Sequence, residues 1–436
     1  MHRSATLVRM TAMWLQAIRV AAMVSLFLFG SLLLSSGTVL PGDEQDRARS
    51  YTRDIEFDYL SWMLDAAAVK AAAGAAGMPG HLDREAARIV VSDYLHLTQR
   101  IARAEDALNR IYADPALPDK DAAASHIRSI LPGLYQQQDL LAPLAEAVLQ
   151  AQVAEVVSSL DLAPLGQAMP AVLYHSTDVP DALIVSPRTE IRQSANISIR
   201  AGLPIEQSAA LERRVEEGMD VSALVVPVGG VGVYPTMIMR TTDRAWLTST
   251  IAHEWTHNYL TLHPLGLLYE HTPELRTMNE TTADIVGAEV GAEVVRRYYS
   301  GMAAIGMPEL SRMSFPAGYP DPHDVDPPPF DFRAAMHTTR VTADVLLASG
   351  KIIEAEDYME QRRLLFVEHG YFIRRLNQAY FAFYGAYADT PGGPAGQDPV
   401  GPAVRALRSR SGSLAEFVNR IAWMTSFEQL QQAVGQ

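Results

Sequence analysis

The sequence predicts an α+β fold, predominantly helical, with a small β-sheet beside one helix that carries paired histidines. Three observations predict it. Long stretches at both ends of the chain repeat apolar residues at steps of three and four, the period of a helix face. Between Ala168 and Arg240 the runs are short, β-branched and bounded by Pro, Gly and Asp, as strands are. Directly after them, Ile251-Ala252-His253-Glu254-Trp255-Thr256-His257 falls in a segment of helical period.

Composition bounds the class. The chain has 436 residues, 48% of them apolar, enough for two to three domain-sized units with a well-buried core. With 36 Lys+Arg against 50 Asp+Glu it carries a net charge of −14, which argues against nucleic acid as a partner because phosphate neutralisation needs a basic surface. The absence of Cys excludes disulfides, thiolate metal ligands and a Cys nucleophile.

Residues 1–42 form the first unit. Val20–Leu40 is a long uncharged stretch, and about 20 helical residues span a bilayer's hydrocarbon. Arg3, Arg9 and Arg19 precede it and Pro41-Gly42 end it. It is expected to be a signal anchor, or a signal peptide cut near Ser35-Ser36-Gly37, with the body extracytoplasmic and either attached to the membrane by this single pass or exported. Residues 43–165 read as a helical N-terminal region, punctuated into several helices at Asp114-Pro115, Pro118-Asp119 and Pro132-Gly133.

Residues 166–310 hold the expected catalytic core. MPAVLYHS, DALIVSP, EIRQSANISIRAG and SALVVPVGGVGVYPTMIMRTT predict a sheet of four to six strands, the last segment being two strands around Gly229-Gly230. The stretch Gly232–Met237 is expected at a sheet edge, where Pro235 is tolerated and an extended peptide can pair. Thr242 or Asp243 caps the next helix, which runs to His263. Thr272-Pro273-Glu274 starts another that reaches about Tyr299. Residues 311–436 comprise a Pro-rich loop, helices from about Asp331 to Asp389, a second Pro/Gly loop and closing helices.

HExxH carries the chemistry. Residues four apart share a helix face, so His253 and His257 can reach one ion, and Glu254 stands where it can bind the metal's water. Zinc lowers the pKa of such a water towards 7. A third ligand is needed, and two candidates stand. His263 completes HExxHxxLxxH, similar to the metzincin pattern except that Leu260 occupies the position of a turn-forming Gly. Glu280 lies 23 residues after His257, in Asn279-Glu280-Thr281-Thr282-Ala283-Asp284, although Thr277-x-x-Glu280 also spells a capping box. His271, Glu270, Glu274 and Glu289 are weaker alternatives.

HExxH followed by NExxxD resembles the gluzincins, the thermolysin-like and aminopeptidase branch of zinc peptidases, over Ile251–Ala288. The resemblance implies a zincin-like core, Glu280 as third zinc ligand and Asp284 hydrogen-bonding a zinc-bound His. Exopeptidases of the group carry a Gly-x-Met-Glu-Asn-like strand for the substrate amine; Gly232–Met237 lacks its Glu, which speaks against an amine-anchored aminopeptidase. Family members also supply a Tyr or His to the oxyanion from a later helix; Tyr380, Tyr384, Tyr387 and His337 are available, Tyr384 being favoured.

The expected function is zinc-dependent hydrolysis of a peptide or protein substrate at a membrane-attached or exported site, with Zn2+ as cofactor and Glu254 as general base. The alternative is a zincin-like, membrane-tethered binding or assembly factor that no longer cleaves; retention of Glu254 favours the enzyme. Substrate, endo- or exo-cleavage and oligomeric state are not encoded in any spacing found.

Overall fold

The computed structural model describes residues 43–75, 80, 82–113, 119–163, 166–302, 330–369, 371, 373–384 and 400–435. The apolar stretch Val20–Leu40 and most of the Pro-rich loop after residue 310 lie outside the described residues. The fold is α+β and mostly helical, with fourteen helices and six strands among the described residues.

Four helices come first: α1 (Glu44–Arg49), α2 (Tyr59–Ala75), α3 (Arg84–Ala113) and α4 (Lys120–Ser159). The expected break at Pro132-Gly133 is absent, and α4 runs through both Pro132 and Pro143. Each proline forfeits a backbone hydrogen bond. Burial offsets the loss, since Leu131 and Leu134 pack on Leu97 and Ile101 of α3 while Leu149, Val153 and Val156 enter the main core. Among the described residues α4 is also the one helix long and apolar enough to cross a membrane by length and composition, but 56% of its most apolar window is buried inside the protein. It is therefore the core helix of a globular body.

Six strands follow: β1 (Tyr174–Thr177), β2 (Asp181–Pro187), β3 (Ala195–Ile199), β4 (Val221–Pro227), β5 (Gly230–Val231) and β6 (Thr236–Met239). They form two three-stranded sheets rather than one. The first, ordered β3-β2-β4, is antiparallel and covered on both faces. Leu183 and Val185 of β2 face helix α5 (Ile205–Met219) through Leu211 and Val215. Ala182 and Ile184 face the other way, towards α9 (Phe332–Ala348), α10 (Ile352–Glu368) and α11 (Gln378–Tyr384), meeting Met336, Met359 and Phe366. Burial on both faces is why β2 reads as a continuous apolar run instead of an alternating one. Helix α5 corrects the expectation of an all-strand stretch from Ala168 to Arg240: the short runs on either side are strands, but IEQSAALERRVEEGM has helical period.

The second sheet is ordered β1-β6-β5, with β1 parallel to β6 and β5 antiparallel to it. Its β1 edge is closed by α4 side chains: Tyr174 N–H donates to Gln150 Oε1 (3.0 Å) and Ser176 N–H to Glu146 Oε1 (2.8 Å). The expected edge at Gly232–Met237 is corrected, because β6 is the central strand and β5 the free edge. Pro235 stays compatible with this by standing just before β6 begins.

Helix α6 (Arg244–Leu260) packs beneath this second sheet, capped by Asp243, whose side chain accepts from Trp246 N–H. The short α7 (Pro264–Leu267) leads to α8 (Pro273–Tyr298), capped by Thr272. The main core gathers Tyr94 and Leu95 of α3, Ile251 and Trp255 of α6, and Val286 and Val290 of α8. It is closed by α12 (Val400–Arg410), α13 (Leu414–Ile421) and α14 (Phe427–Val434). The helices expected from about Asp331 to Asp389 are α9, α10 and α11, separated at Gly350 and between Glu368 and Gln378; residues 385–389 lie outside the described residues.

Candidate metal centre

The site sits where α6 crosses α8. The crossing is tight because α8 presents two glycines one turn apart. A Cβ on Gly287 would lie 2.8 Å from Ser249 O and 3.0 Å from His253 Cβ; one on Gly291 would lie 2.7 Å from the Ser249 backbone. With no side chain at either position, α8 lies directly on α6, and residues one and two turns before Gly287 come within reach of the paired histidines.

His253 Nε2 and His257 Nε2 stand 3.0 Å apart, and Glu280 Oε2 lies 3.7 Å from the first and 3.5 Å from the second. Four tetrahedral ligands about 2.0–2.1 Å from a zinc ion are spaced about 3.3–3.4 Å apart, so this triangle has the size of three zinc donors. Among the described residues these three form the one group of His and acidic side chains able to hold a metal.

The hydrogen bonds around the donors aim them. His253 Nδ1 lies 3.0 Å from Asp284 Oδ1, and His257 Nδ1 lies 2.7 Å from Asn279 Oδ1. Each acceptor calls for the proton on Nδ1 and leaves Nε2 as a lone pair. Two lone pairs at this spacing repel unless a cation, proton or metal, stands between them. Tyr269, in the turn before α8, donates its hydroxyl to Glu280 Oε1, and Arg276 Nε donates to the Tyr269 oxygen (3.3 Å). That leaves Glu280 Oε2 buried and without a hydrogen-bond partner. A buried, orphaned carboxylate oxygen facing two imidazole nitrogens fits a divalent cation.

Electrostatics agree. Burial alone would lower the pKa of His253, but the Asp284 and Glu280 carboxylates hold it well above the usual value. Burial likewise opposes charge on Glu280, yet His257 and His253 hold its carboxyl well below the ordinary range. Glu254 behaves differently: burial raises its pKa, the two histidines only partly opposing. Burial, then the Glu280 charge, keeps the Tyr269 phenol protonated and able to donate.

Glu254 points across α6 to the free edge of the second sheet. A Cβ on Gly230 would lie 2.6 Å from Glu254 Oε1, and one on Gly232 would lie 3.2 Å from His257 Cβ. Strand β5 and the residue after it pass this close because Gly230 and Gly232 carry no side chain. Asn258 Nδ2 ties α6 to the same sheet by donating to Thr236 Oγ1 (3.0 Å).

The competing candidates stand elsewhere. His263, past the end of α6, turns back on it: its Nδ1 lies 2.9 Å from Tyr259 O, and its ring stacks on Tyr259 at 4.5 Å. Glu289 pairs with Arg408, and His271 is exposed. Thr277 is no cap: it lies inside α8, and its hydroxyl donates to Pro273 O (3.0 Å). Tyr384 packs in the core over β2, against Tyr380 and Phe383, and burial pushes its phenol up to about 12. Sequence reasoning left the tasks of Asn279 and Tyr269 unassigned. The first was signalled by its place directly before Glu280; nothing in the spacing signalled the second. Comparison with family models, with curated proteins and with solved structures finds no match to this chain.

Proposed function

We propose that this chain is a zinc-dependent peptidase with a zincin-like core, similar to the gluzincins, that hydrolyses peptide bonds at a membrane-attached or exported site. The observation that carries the proposal is the convergence of His253 Nε2, His257 Nε2 and the orphaned Glu280 Oε2, with Glu254 beside them but outside the donor set. Zinc held there supplies a Lewis acid that acidifies water and polarises a carbonyl oxygen.

The protein's own groups do the rest. Asp284 and Asn279 keep both imidazoles in one tautomer and orientation. Tyr269 occupies one Glu280 oxygen and presents the other. Glu254, buried and with a raised pKa, takes the proton of the attacking water and hands it to the leaving nitrogen. The β5 edge offers free backbone groups beside Glu254, against which an extended peptide can add as a strand.

The test is metal analysis of the purified chain together with a chelator-sensitive cleavage assay on a broad peptide library. Glu254→Gln is expected to keep the zinc and abolish cleavage. Retained cleavage removes Glu254 from the mechanism, and bound zinc without turnover in the wild type makes the chain a binding factor instead.

A further inference from the structure

Helix α2 is apolar on both of its sides. Its inner side is fixed to the body: Met63, Ala66 and Ala73 are buried, and Lys70 forms a buried ion pair with Glu146 of α4. The Trp62 ring lies 5.9 Å from the ring of His175 on β1. Its outer side carries Leu60, Leu64, Ala68, Ala71 and Ala72, all exposed and all within one face at helical spacing. Leu60 is 55% exposed and Leu64 is 54% exposed. Asp65, at the border of that face, is the one outward charge, because Lys70 is the only other charged residue of α2. A helix on a soluble surface turns a polar side outwards, whereas one apolar all round is covered on both sides.

The path of the chain identifies the cover. Leu40, which ends the expected anchor, and Glu44, which begins α1, are four residues apart, at most about 14 Å of extended chain. At the far end of α1, Arg49 pairs with Glu56 (2.7 Å). The residues on either side of Glu56 are held at the β3 edge, Phe57 N–H donating to Ser198 O (3.0 Å) and Arg200 N–H to Ile55 O (2.8 Å). Tyr59, the first residue of α2, donates its hydroxyl to Ser198 Oγ (2.7 Å). A short run of fixed contacts therefore joins the point where the chain leaves the anchor to the first two turns of α2, where both exposed leucines stand.

We propose that the outer face of α2 lies in the interfacial layer of a lipid bilayer and gives the body a second membrane contact beside the anchor. The inference rests on the membrane attachment in the reading above and extends it. A single tether leaves the body free to turn, and a docked α2 fixes which side meets the lipid. Interfacial helices sink their apolar face about 5–10 Å into the boundary between headgroups and acyl chains. With Asp65 as the one outward charge, the contact is apolar rather than electrostatic, so it forms on zwitterionic lipid and persists in high salt.

The chain has no Cys, so a single introduced thiol can be labelled alone. Full-length Leu64→Cys, carrying an environment-sensitive fluorophore, is reconstituted with phosphatidylcholine vesicles whose acyl chains are plain or brominated. The control label is Ile353→Cys, 59% exposed at the start of α10. That helix packs on the face of the first sheet opposite to α1. Vesicle flotation reads attachment separately. The expected result is flotation, with a blue-shifted Leu64 label that loses emission to brominated lipid in low and high salt alike, and an Ile353 label that does neither. Leu60→Glu added to Leu64→Cys is expected to remove the quenching and leave flotation intact. Flotation without quenching of the Leu64 label overturns the docking of α2 and leaves the anchor standing, whereas absence of flotation overturns both. A blue-shifted Leu64 label that brominated lipid does not quench assigns the face to a second copy of the chain and overturns the proposal as well.

Discussion

Tyr269 gives its hydroxyl proton to Glu280 Oε1, so only Oε2 is left for an ion. Removing that donor in Tyr269→Phe leaves Oε1 buried and bare, and frees the carboxylate to bind through both oxygens. The variant is expected to hold metal about tenfold more weakly, with an altered visible spectrum for the cobalt-substituted protein; an unchanged spectrum would show that the phenol does not set the coordination. Asn279→Ala and Asp284→Ala each release one imidazole. Both are expected to weaken metal binding about 10- to 100-fold in competition with a chromogenic chelator. At this scale the sequence spoke unevenly. His253, Glu254 and His257 announce themselves because helical spacing alone puts two imidazoles on one side. Glu280 and Asp284 were legible only through a resemblance, since their proximity depends on how α8 lies against α6. Tyr269 was silent, because its contact with Glu280 is made by a turn whose path no periodicity encodes.

The element that matters most is the α6–α8 crossing, and its closeness rests on Gly287 and Gly291. Gly to Ala inside a helix ordinarily stabilises by about 1 kcal/mol through propensity. At Gly291 the added methyl would meet the Ser249 backbone at 2.7 Å, which cannot swing aside as a side chain can. Overpacking of this kind costs about 1–3 kcal/mol, so the clash outweighs the propensity gain. Gly291→Ala is therefore expected to destabilise the metal-free protein in urea unfolding and also to weaken metal binding, by moving Glu280 and Asp284 away from α6. A net stabilisation would show the crossing to be looser than it stands here. Other elements show where local signals lose to tertiary ones. Helix α4 passes two prolines because α3 and the main core bury it on either side of them. Helix α5 was overlooked because its neighbours are strands, although its own apolar residues Leu211, Val215 and Met219 are spaced four apart. Strand β5 is two residues long, too short for any alternation to reveal it as the edge facing Glu254.

Across the whole molecule the metal centre belongs to the main core, whereas Ile184 lies fully buried in the core between the first sheet and α9–α11. No side chain of that second core is a metal donor. Two costs can thus be separated. Metal at 1,000 times its Kd stabilises the folded state by about 4 kcal/mol, because only the folded chain brings three donors together. Ile184→Ala removes a packed side chain far from those donors and is expected to cost about 2–5 kcal/mol. If the two cores act independently in the native state, the penalties add: the variant loses the same stability with metal or with chelator, and its Kd for metal is unchanged. Sites in contact depart from additivity, distant ones do so little. A double-mutant-style cycle, wild type and Ile184→Ala each unfolded in urea with and without zinc, reads the coupling directly. An interaction larger than about 0.5 kcal/mol would mean that the sheet between α5 and α9–α11 transmits strain to the α6–α8 crossing through β4 and the short segment leading to β5.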